Sequence, residues 1–195
     1  MAETPELDEA ERHAHTLLAP SAALVICDLQ EAFRGVTVDF ETVAARIAAL
    51  VQGARLLDVP ILVTEQYPQR LGRTAAEVLG HLPSDVKVVE KTAFSCCGAE
   101  GFIEQLEESH ASQVLLCGLE AHVCVNQTTH DLIAQGRQVH LLLDCVTSRT
   151  ERNRQIGIEK MRLAGIIPCN VEMALFELMG DAKHEQFKAV QRLIK

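Results

Sequence analysis

Three residues of this 195-residue chain have types and positions that together could do chemistry: Asp28 in ICDLQEAF, Lys91 in VVEKTAF and Cys124 in CGLEAHVCVNQT. Each stands at or just after the end of a short apolar run. A thiol attacks as its thiolate, and the first turn of a helix, where amide dipoles converge, favours that anion. Gly118 ends the run before Cys124, and a helical pattern starts a few residues later, which puts the sulfur in such a turn. A nearby ammonium such as Lys91 would favour the thiolate further, while a carboxylate such as Asp28 could take its proton and return it to a leaving group. Backbone N–H groups around Glu120 and Cys124 could meet an oxyanion, and stabilising that anion usually does more for acyl transfer than any other single effect. Taken singly, each residue has an ordinary structural reading: Asp28 as a helix or turn cap, Lys91 as a rim charge, Cys124 as a small core residue. Their joint placement favours the catalytic one.

The elements that must position these groups follow from the apolar pattern. Six short runs, at 22–28, 60–65, 86–90, 112–118, 137–143 and 166–169, alternate with helical patterns. They carry Val, Ile and Leu without polar alternation, as strands covered on both faces do. Crossover helices between strands give a parallel sheet, so the chain reads as a three-layer, doubly wound α/β domain. Ligands bind such sheets beyond the carboxyl ends of the strands, where the strand order reverses. Between the first two runs, Val43, Ile47, Leu50, Ala54 and Leu57 form one helix stripe, followed by Pro60. Val125, Thr128 and Leu132 predict a helix stopped near Gly136. Ser148 with Glu151 has capping-box spacing and predicts a helix to about Gly165, with Ile158, Met161 and Gly165 facing inward. Residues 171–179 and 182–194 read as two short helices broken at Gly180 and Asp181, the second with an apolar face of Phe187, Val190 and Ile194. Residues 66–85 read as a long connection with one helical turn. Residues 1–20 read as an N-terminal arm and 21–195 as a single domain.

Composition narrows the function classes. At 48% hydrophobic and 23% charged, the chain can bury a sizeable core, and its longest apolar runs are too short to cross a membrane. Lys and Arg total 18 against 27 Asp and Glu, and the net charge of -9 disfavours nucleic-acid binding. The opening MAETPELDEAERHAH is acidic and has neither an apolar signal core nor a transit-peptide character. With Cys27, Cys117 and Cys145 on apolar runs, this points to the cytoplasm. The adjacent Cys96 and Cys97 read as reduced structural thiols. His81, His110, His130, His140 and His184 are scattered and are expected on the surface or capping local structure. Phe33, Tyr67, Phe94 and Leu119 lie on or beside strand-end loops and could line an apolar pocket, although core packing explains Phe33 and Phe94 at least as well.

The D-x-Q-x-x-F stretch of Asp28, Gln30 and Phe33, the Lys91 that closes the third run, and the G-[VIL]-x-x-x-x-C-V turn of Gly118, Leu119, Cys124 and Val125 resemble the isochorismatase-like cysteine hydrolases. The resemblance runs from about Ser21 to about Leu178. The TEQYPQRLG, GLEAHVCV and DLxxxGxxVHLLxDxxxSR stretches are similar to the subgroup called isochorismatase domain-containing proteins. It implies a six-stranded parallel sheet in the order 3-2-1-4-5-6, an Asp-Lys-Cys triad at Asp28, Lys91 and Cys124, and a cis peptide at Leu119-Glu120. It also implies a substrate pocket that includes Gln30, and a homo-oligomer, dimer or tetramer. In that order Lys91 follows a strand roughly 10 Å from the first, so its side chain must reach inward. Nicotinamidases of the family hold a metal through an Asp and two His after the second strand. Here TEQYPQRLGRT offers no His until His81, and a lone Glu65 does not make a three-ligand site, so neither a metal nor another cofactor is expected. Glu120 stands where many relatives have a small residue and would narrow the pocket, neutralise a nearby cation or face solvent. His122 invites a Cys-His dyad, but its spacing turns it around the helix axis from Cys124. The reading that follows is a metal-independent cysteine hydrolase of a small amide, ester or vinyl-ether-like substrate. Two rivals stand beside it. Some proteins of the subgroup carry a mitochondrion-associated ribonuclease label, which the acidic charge opposes; the other rival is a non-catalytic binding or scaffold protein of the same fold.

Overall fold

The structure, a computed structural model, describes residues 12–195. Strands β1 (Ala22–Cys27), β2 (Ile61–Gln66), β3 (Val88–Lys91), β4 (Gln113–Gly118), β5 (Gln138–Val146) and β6 (Ile167–Cys169) form one parallel sheet in the order β3-β2-β1-β4-β5-β6. The helices are α1 (Phe40–Leu56), α2 (Pro68–Leu71), α3 (Ala76–Leu79), α4 (Glu100–Glu108), α5 (Cys124–Ala134), α6 (Glu151–Ala164), α7 (Val171–Met179) and α8 (Phe187–Leu193). Every residue of β1 and β4 is buried, which is why these strands run apolar without alternation. Leu24 and Ile26 of β1 enter the core beneath α1, α7 and α8; Ala23, Val25 and Cys27 enter the core beneath α4, α5 and α6. The predicted α1 stripe from Val43 to Leu57 is buried throughout, each large side chain contributing about 1.5–3 kcal/mol. The order reverses between β1 and β4, so the ends of these two strands open the crevice.

Several local expectations shift. The connection after β2 holds two helical turns, α2 and α3, fastened by the buried Glu65, whose Oε1 accepts from Thr74 N at 2.7 Å and Thr74 Oγ1 at 2.8 Å. The cap of α6 is Thr150, which accepts from Asn153 N at 3.2 Å; Ser148 turns instead to His122. On α6 Met161 is buried and Ile158 half-buried, but Gly165 is the exposed, left-handed residue that stops the helix. Val190 of α8 is buried, with Phe187 and Ile194 packed on the core, so this face lies inside the fold and offers no free edge. Of the arm expected over residues 1–20, residues 1–11 lie outside the described part. From Thr16 the chain is tied down: Leu17 is buried and its N–H donates to Glu177 Oε2 at 2.9 Å, so the packed unit begins before Ser21. Among the described residues no helix is long and apolar enough to cross a membrane. Thr150→Ala is expected to lose about 1 kcal/mol in urea denaturation while Ser148→Ala leaves α6 unaffected; the reverse ranking would contradict this assignment of the cap.

His140, expected on the surface or in a cap, is fully buried on β5, and neither ring nitrogen has a partner among the described residues. Burial, with the charge of His15 adding to it, pulls its pKa down to about 4. The unfolded chain therefore binds a proton at about pH 6.5 that the folded chain refuses until about pH 4. The part of stability linked to His140 is full above pH 6.5 and falls by roughly 3 kcal/mol as the pH drops to 4. His140→Leu is expected to remove most of that loss, read as a smaller stability difference between urea titrations at pH 7 and pH 4.5. An unchanged difference would place the acid sensitivity elsewhere.

Candidate active site

Asp28 follows β1 with a φ of 50°, a left-handed conformation that Asp tolerates better than most residues. Its carboxylate is buried: Oδ1 accepts from Thr64 Oγ1 at 2.8 Å, and Oδ2 accepts from Lys91 Nζ at 2.6 Å. Lys91 ends β3 opposite Gln66, and its side chain, itself fully buried, passes the end of β2 to reach Asp28. This resolves the expected span of two strand spacings. The ammonium also donates to Gln66 Oε1 at 2.7 Å, Phe94 O at 2.9 Å and Ala93 O at 3.1 Å. Burial works against its charge, but the Asp28 carboxylate in contact with it outweighs burial and holds the ammonium above the ordinary lysine value.

The turn that carries Cys124 begins at Gly118, paired with Cys27 across β1 and β4. Its φ is 115°, and a Cβ there would sit 2.0 Å from Cys27 O, so the close approach of the two strand ends requires glycine. The Leu119-Glu120 peptide is cis, as the motifs implied. Glu120 O then accepts from Val123 N at 2.9 Å and Val125 N at 3.3 Å, while Ala121 N donates to Thr147 O at 2.8 Å. The Glu120 and Cys124 amides donate to no other group among the described residues, and so remain available. Cys124 is the first residue of α5, 8% exposed, and belongs to the same buried cluster as Cys27 and Cys96.

The remaining expected site residues divide. Gln30 is fully buried and committed: Nε2 donates to Gln66 O at 3.0 Å and Gly72 O at 2.7 Å, and Oε1 accepts from Gln66 N at 2.8 Å. It braces the loops and has no group left for a ligand. Leu119 is likewise core, and Phe33 packs against the same core, because the turns that present them fold back onto the sheet. Tyr67 and Phe94 are about half exposed; Tyr67 N donates to Lys91 O at 2.8 Å, so both rings stand on loops tied to Lys91. Glu120 neutralises a cation, accepting from Arg149 Nε at 2.9 Å. His122 Nδ1 pairs with Ser148 Oγ at 3.1 Å. Among the described residues no group of three His, Cys, Asp or Glu side chains could hold a metal ion. The sequence reading missed Thr64 and Gln66, which hold Asp28 and Lys91 from the end of β2; polar residues closing a buried strand beside the reversal were the available signal.

A model of the isochorismatase domain matches residues 22–173. The chain belongs to the isochorismatase family. It is 41% identical to the secreted isochorismatase effector Isc1 of Phytophthora sojae, over 97% of this chain and 91% of the relative. It is 40% identical to isochorismatase domain-containing protein 2 of Homo sapiens, over 92% and 85% respectively, in line with the subgroup that the motifs suggested. Among solved structures, MAR1 ribonuclease from Caenorhabditis elegans superposes with a TM-score of 0.88 at 37% identity, covering 92% of each chain. The YcaC gene product of Escherichia coli, an octameric hydrolase of unknown specificity, shares the fold with a TM-score of 0.87 at 18% identity, over 94% of this chain and 91% of its own. The chain thus carries the isochorismatase-family hydrolase fold.

Proposed function

We propose that this protein is a metal-independent cysteine hydrolase acting on a small amide, ester or vinyl-ether-like bond, with Cys124 as nucleophile, Asp28 as proton acceptor and donor, and Lys91 as the cation that favours the thiolate. The observation that carries this reading is the buried 2.6 Å contact between Lys91 and Asp28 at the sheet reversal, beside the helix start that bears Cys124. For an acyl substrate, Asp28 takes the Cys124 proton and the sulfur attacks the carbonyl carbon. The oxygen becomes an anion that the Glu120 and Cys124 amides meet. Asp28 returns the proton to the departing nitrogen or oxygen, leaving a thioester; water, losing its proton to Asp28, then releases the acid and the free thiol. Asp28 and Lys91 are fully engaged with each other and with Thr64 and Gln66, which supports a mechanism that gives neither of them to a metal. The exposure of Tyr67 and Phe94, on loops tied to Lys91, supports an apolar approach for substrate.

The seven cysteines, all free, support a cytoplasmic setting. Leu163 and Ile156 on α6, 86% and 52% exposed and two turns apart, support association into a homo-oligomer, which light scattering reads directly. A panel of small amides and esters, run on wild type, Cys124→Ala and Asp28→Asn, tests the function: release by wild type alone is expected. The resemblance to a protein named a ribonuclease supplies the second reading. RNA cleavage that survives both substitutions, with no small-molecule turnover, would replace the hydrolase assignment.

A further inference from the structure

The site holds two more thiols than the proposed reaction uses. Cys27 Sγ lies 3.5 Å from Cys96 Sγ, 3.6 Å from Asp28 Oδ2 and 3.5 Å from Leu119 O. Cys96, in the 3-10 turn Cys96–Gly98, lies 3.4 Å from Thr64 Oγ1, and its N–H donates to Thr128 Oγ1 of α5 at 2.9 Å. Cys27, Cys96 and Cys124 belong to one buried cluster, in which Cys124 is 8% exposed and the other two are at 0%. Of these three, Cys124 is the one that a solvent-borne oxidant meets first. The two inner thiols differ. Burial, then hydrogen bonding with Cys124 and Cys96 and the Asp28 charge, pushes the Cys27 thiol well up. Burial also opposes ionisation of Cys96, but its hydrogen bond with Cys27 and the Lys91 charge prevail over that and over the Asp28 charge, leaving it below an ordinary thiol. Cys27 keeps its proton and Cys96 gives its own up more readily.

We propose that Cys27 and Cys96 form a buried resolving pair that takes oxidising equivalents from Cys124 and restores its free thiol. The inference rests on Cys124 being the reactive sulfur of the proposed function. With hydrogen peroxide as oxidant, the Cys124 thiolate attacks one oxygen, the O–O bond breaks, and hydroxide leaves a sulfenic acid on Cys124. Cys27 attacks the sulfenic sulfur; its proton passes to Asp28 and on to the departing hydroxide, which leaves as water, and a Cys27–Cys124 disulfide forms. The Cys96 thiolate attacks Cys27, that disulfide breaks, and Cys124 departs as a thiolate beside Lys91. In sum, two thiols become one disulfide and one peroxide becomes two waters. The Cys27 and Cys96 sulfurs need to approach by only about 1.5 Å to reach a bond of roughly 2.0 Å. The nucleophile is thereby spared sulfinic acid, which thiols do not reverse.

Full-length protein treated with one equivalent of hydrogen peroxide, blocked and mapped by mass spectrometry tests this. Wild type is expected to show a Cys27–Cys96 disulfide with Cys124 still free to alkylate. Cys96→Ser and Cys96→Ala should trap the Cys27–Cys124 disulfide, while Cys27→Ser and Cys27→Ala should raise Cys124 sulfinic acid at least fivefold. Serine and alanine variants at each position guard against a folding defect in either. A Cys27–Cys96 disulfide formed as fast in Cys124→Ser as in wild type overturns the relay, as does equal sulfinic acid in wild type and both Cys27 variants. Rapid iodoacetamide labelling of Cys124 with no such disulfide also overturns the relay and leaves the hydrolase reading standing. The relay operating in a protein that hydrolyses nothing on the substrate panel supports the relay and removes the hydrolase reading.

Discussion

Cys124→Ser is expected to lower hydrolytic turnover by roughly 10⁴- to 10⁶-fold, the scale on which hydrolases lose rate when the nucleophile is removed. The substitution exchanges one atom at a nearly buried position, so the fold should hold with a stability change below about 1 kcal/mol. The loss is chemical. A serine hydroxyl is a far weaker acid than a thiol, so a carboxylate such as Asp28, which already accepts from Lys91 and Thr64, removes its proton far less readily. Measurement of kcat/KM on a cleaved amide or ester, with a denaturation curve for each protein, separates the two quantities. A serine variant that keeps more than about a tenth of the activity would move the nucleophile away from Cys124.

Lys91→Met is expected to damage stability and activity together. The Lys91 and Asp28 side chains are both buried, and removing one member of a buried ion pair leaves the other uncompensated, at about 3–5 kcal/mol. Adding Asp28→Asn to Lys91→Met should recover much of that stability and none of the turnover, because the buried charge has gone but so has the proton acceptor. The pH dependence has a defined sign. Since Lys91 is held above the ordinary lysine value, its contribution is complete below about pH 10.5 and is lost only as the pH climbs through the folded value. The stability gap between wild type and Lys91→Met should accordingly stay constant from neutral pH to about 10 and narrow in stronger base. A gap under about 1 kcal/mol at pH 7 would mean that the pair is not desolvated as its burial indicates.

The sheet and the main helices were legible because their physics is local. A strand covered on both faces must be apolar throughout, as β1 and β4 are, and the α1 stripe has to recur every three or four residues to face one core. Asp28, Lys91 and Cys124 stood out because chemically active side chains at the ends of apolar runs converge in a doubly wound sheet. What stayed hidden depends on partners far along the chain. Gln30 carries a motif position, yet only its contacts with Gln66 and Gly72 show that its amide is spent on holding loops. Ser148 has the spacing of a cap, but Thr150 is the residue in the extended conformation immediately before α6. Cys96 gives no local hint of Cys27, since the contact joins residues 69 positions apart. Glu120 and Arg149 likewise meet only because β4 and β5 are neighbours. Leu119 looked like a pocket residue from its place in the turn, and the turn folds it inward instead.

The most direct measurement of the central claim is the rate at which iodoacetamide labels Cys124 near pH 7, compared with Cys97 in the same molecule. Cys97 is a partly exposed thiol that burial and the neighbouring Cys96 push up to about 11, and it has no lysine of its own. On the proposed reading, in which Lys91 favours the Cys124 thiolate at the start of α5, Cys124 should be alkylated at least tenfold faster than Cys97 in spite of being more buried, and Lys91→Met should erase the advantage. Labelling of Cys124 no faster than Cys97 in wild type would contradict an activated nucleophile at this site.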